Sequence, residues 1–68
     1  MYMRYAGLSD EPKKMKAELG NPADFRVMQQ FTSEQSAKQW QTRMLAQGYE
    51  QDRKGKGWKY GYTFSARR

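Results

Sequence analysis

The stretch Gly55-Lys56-Gly57-Trp58-Lys59-Tyr60-Gly61-Tyr62-Thr63-Phe64 decides how this chain folds. Trp58, Tyr60, Tyr62 and Phe64 occupy every second position, the repeat of a strand that keeps one face out of water. Lys59, Gly61 and Thr63 take the other face. Four aromatics on one face form the largest block of apolar surface in the sequence, so the other elements have to be arranged to cover it. The competing reading leaves the rings exposed as a platform for stacked bases, at ~1–3 kcal/mol per base. A domain of 68 residues has no comparable apolar surface elsewhere, so the rings are assigned to the core.

Gly55 and Gly57 make the segment before these rings a turn of hairpin length. The hairpin joins the aromatic strand to a short polar one, Tyr49-Glu50-Gln51-Asp52-Arg53, whose polarity suits a sheet edge. Before it comes the clearest helix, about 33–47. Thr32 or Ser33 caps it, Gln35 completes a capping box from Thr32, and Ala37, Trp40, Met44 and Leu45 form one apolar face. Gly48 closes it. Residues 24–31 read as a strand in which Phe25, Val27 and Phe31 share one parity and Gln29 breaks the pattern. Arg26, Met28 and Gln30 face the other way.

A weaker helix spans about 10–19, started by Ser9 or Asp10 with Pro12 in the first turn, and stopped by Gly20 and Asn21-Pro22. Residues 1–8 read equally as a loosely docked arm or a short strand, and 65–68 as a frayed basic tail. The expected fold is a single small two-layer α+β domain. Its three-stranded, mainly antiparallel sheet has the order 24–31, 58–64, 49–53, with both helices on the aromatic face. The other face, carrying Arg26, Met28, Gln30, Lys59, Gly61 and Thr63, is expected to stay open.

Composition narrows the function classes. Cysteine and histidine are both absent, which removes disulfides, thiolate metal sites, the commonest zinc ligand and the commonest general base. No cofactor or metal is expected. Glu50 and Asp52 share a strand face as paired carboxylates do in some acid–base sites, but beside Arg53 and Lys54 they read as solvated counter-charges. Gly55-Lys56-Gly57 lacks the spacing of a phosphate-binding loop and lies between strands, where a dinucleotide fingerprint would open a helix. No catalytic activity is expected. No run of residues is apolar enough to span a membrane, and a chain opening on Met1 without a leader pattern reads as a complete, cytoplasmic protein.

The net charge of +6 is unevenly spread. Residues 1–52 hold seven cations (Arg4, Lys13, Lys14, Lys16, Arg26, Lys38, Arg43) and all seven acids, which cancel. Residues 53–68 hold Arg53, Lys54, Lys56, Lys59, Arg67 and Arg68 with no acid. A one-sign block of this kind favours encounter with polyanions. With Arg26 from the neighbouring strand, these six are the candidate contacts to a DNA or RNA backbone. The chain is therefore expected to be a small nucleic-acid-associated protein using a phosphate-contacting hairpin and tail. The alternative is a protein-interaction module, homodimeric or bound to another protein, in which the basic segment serves solubility.

Tyr60-Gly61-Tyr62 resembles the centre of the aromatic strand signature of RNA-recognition-motif domains. Lys59 stands where that signature has glycine, the next aromatic is Phe64 instead of one place later, and no helix follows. The family is not assigned.

Overall fold

The computed structural model describes residues 2–53 and 55–67. It is an α+β fold of four strands and two helices in the order β1 (Tyr2–Ser9), α1 (Pro12–Glu18), β2 (Arg26–Gln30), α2 (Glu34–Ala46), β3 (Glu50–Asp52) and β4 (Tyr60–Arg67). The sheet is mixed, with spatial order β2-β4-β1-β3. β4 runs antiparallel to β1 and to β2, while β1 and β3 are parallel.

The helices follow their local signals. Ser33 caps α2, its hydroxyl accepting the Ser36 N–H at 3.2 Å. Gly48 ends that helix at φ +102°, and its N–H reaches the Leu45 carbonyl at 3.1 Å. Pro12 opens α1, and the Ser9 hydroxyl accepts the Glu11 N–H at 3.0 Å just upstream. Gly20 and Asn21 both take positive φ and stop the helix.

Several expectations are corrected. The sheet has four strands, because residues 2–9 form β1 and insert between β4 and β3. All eight residues of β1 pair with β4, from Tyr2 opposite Arg67 to Ser9 opposite Tyr60. The segment after β3 is therefore no hairpin turn. It carries the chain past the end of β1, and Gly55 packs so closely on the Leu8 carbonyl that a side chain there would collide with it. β4 also begins later and ends later than expected, so Ser65, Ala66 and Arg67 are strand and not tail. The physical reason is that β1 supplies backbone partners over the whole length of β4, and a short polar β3 does not.

A further correction concerns the layers. α1 covers the aromatic face: Met15 packs with Tyr62 and Phe64, with Leu19, Tyr5 and Phe25 around them. α2 lies on the opposite face, where Trp40 rests on Gly61 and the Gln41 amide donates to the Ala6 carbonyl at 3.3 Å. Both helices join parallel strands, but the first crossover passes over β4 in one direction and the second returns over β4 and β1. Crossovers of one hand running in opposite directions have to sit on opposite faces. The two-layer arrangement gives way to helix, sheet, helix.

A bulge in β2 distributes the rings between these layers. Val27 pairs with Tyr62 and Gln29 with Gly61, leaving Met28 as the extra residue. Phe25 and Val27 consequently share the face of Tyr62, while Phe31 is transferred to the other face and meets Trp40 at 5.6 Å between ring centroids. The single parity expected for Phe25, Val27 and Phe31 is thus broken at Gln29, the one polar residue in the series. On the α1 side, Phe25 stacks on Tyr62 at 5.2 Å and Tyr5 on Phe64 at 5.2 Å. Tyr62 and Phe64 are buried, which makes these rings core and not a platform. Each is worth about 1.5–3 kcal/mol of burial.

Gly61 is the tightest point between the layers. A Cβ there would lie 2.8–2.9 Å from three atoms of the Trp40 ring. Gly61→Ala is expected to push Trp40 or β4 aside and cost about 1–3 kcal/mol. In urea denaturation the midpoint falls with little change in slope; a variant as stable as the parent would refute this packing.

Candidate nucleic-acid interface

The sheet divides the expected cationic residues into separate groups. Arg53, Lys56 and Lys59 are exposed in the connection from β3 to β4. Arg67 pairs with Tyr2 at the far end of β4, about 25 Å away along eight residues of strand. Lys54 and Arg68 lie outside the described residues. Arg26 is on β2 beside Thr63, on the α2 side of the sheet.

The connection is held by Asp10. Its carboxylate accepts the Trp58 N–H at 3.1 Å and the Lys59 N–H at 3.2 Å, while its own N–H donates to the Lys56 carbonyl at 2.9 Å. Gly57 takes φ +93° and presses its α-carbon against that carboxylate, a conformation and a spacing that only glycine accepts. Lys56 also shares a shallow groove with Asp10, Glu11 and Glu18 of the α1 side. This cation therefore sits among acids that are distant in sequence.

The more coherent basic surface is on the other face, in the part of the sheet that α2 leaves open. Arg4 sits opposite Ser65 on β1, and Arg26 sits opposite Thr63 on β2, so the two arginines flank β4 from both sides. They line a groove of about 390 Å³ together with Met28, Tyr49, Thr63, Ser65 and Asp24. The Arg4 guanidinium lies over the Tyr49 ring at 5.9 Å from its centroid, within the reach of a cation–π contact. Neither arginine joins the ion pairs found among the described residues, which are Lys14–Glu11 and Lys38–Glu34 on the helices.

Asp24 is the acid of this groove. The Ser65 hydroxyl and the Ser65 N–H, the latter at 3.0 Å, both donate to it and hold its carboxyl below the usual 3.8; Arg26 adds a smaller pull in the same direction. Sequence reasoning named Arg26 as a candidate contact but not Arg4, Tyr49 or Asp24, which the fold brings into the same groove. Arg4 was concealed by the neutral sum of residues 1–52. Its alternation with Tyr5 and Ala6 was the available signal, and it becomes legible once residues 2–9 are paired with β4.

No protein-family model, curated protein or solved structure matches the chain. Its function rests on this geometry. No group of three or more acidic residues that could hold a metal ion occurs among the described residues, and no helix among them is long and apolar enough to cross a membrane.

Two outcomes test the site's construction. Asp10→Ala frees the Trp58 and Lys59 amides; hydrogen exchange at those two positions should accelerate, with a loss of about 1 kcal/mol in global stability. Unchanged protection at both amides would show that the connection is held by something else. For Asp24, the folded-state pKa is depressed, so its stabilising contribution is complete above about pH 4 and fades as pH falls through the lowered value. Asp24→Asn should therefore lower stability at neutral pH and converge with the parent in strong acid, as followed by urea unfolding across pH.

Proposed function

We propose that this chain is a small basic nucleic-acid-associated protein that contacts the phosphate backbone and performs no catalysis. The observation that carries the reading is the pair Arg4 and Arg26, brought to one groove from strands on either side of β4. Guanidinium groups outside ion pairs match phosphate geometry and carry little hydration to remove. Arg53, Lys56 and Lys59, exposed in the connection before the strand, add cations near its start. The contacts are sequence-independent, and their affinity is salt-dependent through counterion release.

Fluorescence anisotropy of labelled single- and double-stranded DNA and RNA, titrated across a salt series, tests this directly. The logarithm of the association constant should fall linearly with the logarithm of salt. Arg4→Gln and Arg26→Gln should each weaken binding across all sequences and reduce the slope by about one contact. Lys56→Gln should do less, since acids already surround Lys56. Absence of binding at low salt, or a slope untouched by both arginine changes, sinks the proposal.

A second reading has one observation behind it. Val27 and Met28 are 49% and 51% exposed on the free edge strand β2, one toward each face of the sheet, and a second copy or another protein chain would cover this edge by strand addition. The bulge at Met28 and the charge of Arg26 both discourage such pairing. Sedimentation equilibrium should find a monomer; a dimer abolished by Val27→Lys would favour the interaction module instead.

A further inference from the structure

We infer that the groove between Arg4 and Arg26 seats an unpaired nucleobase of a single strand, an inference that rests on the nucleic-acid reading and adds strandedness to it. The lining differs from that of a site for phosphate alone. Asp24 lies in the same groove as the two arginines, where its charge opposes a phosphate. A nucleobase supplies the N–H donors that a carboxylate accepts. The Thr63 hydroxyl can donate or accept in the groove, and the Ser65 hydroxyl, which donates to Asp24, can still accept.

The remaining lining suits a flat, weakly polar ring. Tyr49 is half-buried at the rim with the Arg4 guanidinium over it, and aromatic and guanidinium planes are the usual stacking partners of splayed-out bases. Met28, about half exposed, supplies an adaptable apolar contact on the opposite strand. At about 390 Å³ the groove has room for a base. A base inside a duplex cannot reach such a groove without leaving its stack. Arg26 is then left for a flanking phosphate.

The test compares three labelled probes on the full chain: a short mixed-sequence DNA strand, the same strand carrying abasic sites throughout, and its blunt duplex. The intact strand should bind about tenfold tighter than the abasic strand of equal charge, within the range that one stacked base supplies. Tyr49→Ala should remove most of that ratio, and Tyr49→Phe should keep it. Asp24→Asn should strengthen binding of the abasic strand, because a repelling charge is gone, while lowering the intact-to-abasic ratio. A general loss of stability would not produce this opposed pair. Amide shifts on adding the intact strand should centre on Tyr49, Thr63 and Ser65, which decides the matter even if Tyr49→Ala fails to fold. An intact-to-abasic ratio near one, or shifts confined to α2 and the connection before β4, overturns the base site and leaves the phosphate reading standing. No binding of any probe at low salt overturns both.

Discussion

The hydrogen bond from the Tyr62 hydroxyl to Asp52 is the constraint on which the rest of this fold depends. It joins β4 to β3 although the two strands are not neighbours, because β1 lies between them. Gly7, paired with Tyr62 on one side and Asp52 on the other, makes the span feasible. A Cβ at Gly7 would lie 2.6 Å from the Tyr62 Cζ, so any other residue would lift the ring off the sheet. With glycine there, the ring lies across β1 and Val27, Tyr62, Gly7 and Asp52 form one row over all four strands. Burial raises the Tyr62 pKa far above that of a free phenol, and the hydrogen bond and charge of Asp52 push the same way. The hydroxyl is thereby kept protonated as the donor to Asp52. β3, three residues long and polar, gains an anchor that its own backbone pairing would not supply.

From this row the two faces separate. Every side chain that shares the parity of Tyr62 on β4 belongs to the α1 layer, and Gly61 and Thr63 belong to the α2 layer. Steric space is divided accordingly: a large ring on one face at Tyr62, and no side chain on the other at Gly61, where Trp40 lies down. The bulge at Met28 completes the division by moving Phe31 beneath Trp40 while Phe25 stays with Tyr62. Because α2 is committed to Gly61 and Ala6, it leaves a groove open between Arg4 and Arg26, with Thr63 buried beneath it. The open groove is thus a consequence of where Trp40 packs.

Much of this was legible in the residues. Ser33 and Gly48 bracket α2, Gly20 and Asn21 end α1, and of the four alternating aromatics Tyr60, Tyr62 and Phe64 do share a strand face, while Trp58 falls in the connection before β4. The hidden parts involve long-range partners that local patterns do not encode. Met3, Tyr5 and Leu8 alternate too weakly to announce a central strand, since β1 is filled by Ala6 and Gly7, which are small because Tyr62 and α2 crowd them. The glycines before β4 have the composition of a hairpin turn, yet they serve close approach to the Leu8 carbonyl and the Asp10 carboxylate. A glycine-rich segment of this length satisfies either requirement, and only the presence of β1 distinguishes them. Gln29 did signal the bulge: a polar residue in an otherwise apolar parity is what a parity shift leaves behind.

The charge distribution shows the same difference between chain order and space. Along the sequence the excess of cations belongs to the last quarter, and residues 1–52 are neutral. In the folded chain β4 carries that last quarter into the middle of the sheet, so its neighbours come from the neutral part. Lys56 thereby acquires Asp10, Glu11 and Glu18 as surroundings, which weakens its field. Thr63 and Ser65, uncharged in the sequence, acquire Arg4 and Arg26 on either side. The Coulomb field at a few ångströms depends on these spatial neighbours and not on the count within a segment. A basic patch is therefore a property of strand order: with β1 at the edge of the sheet, Arg4 and Arg26 would not share a groove, and with β1 beside β4 they must.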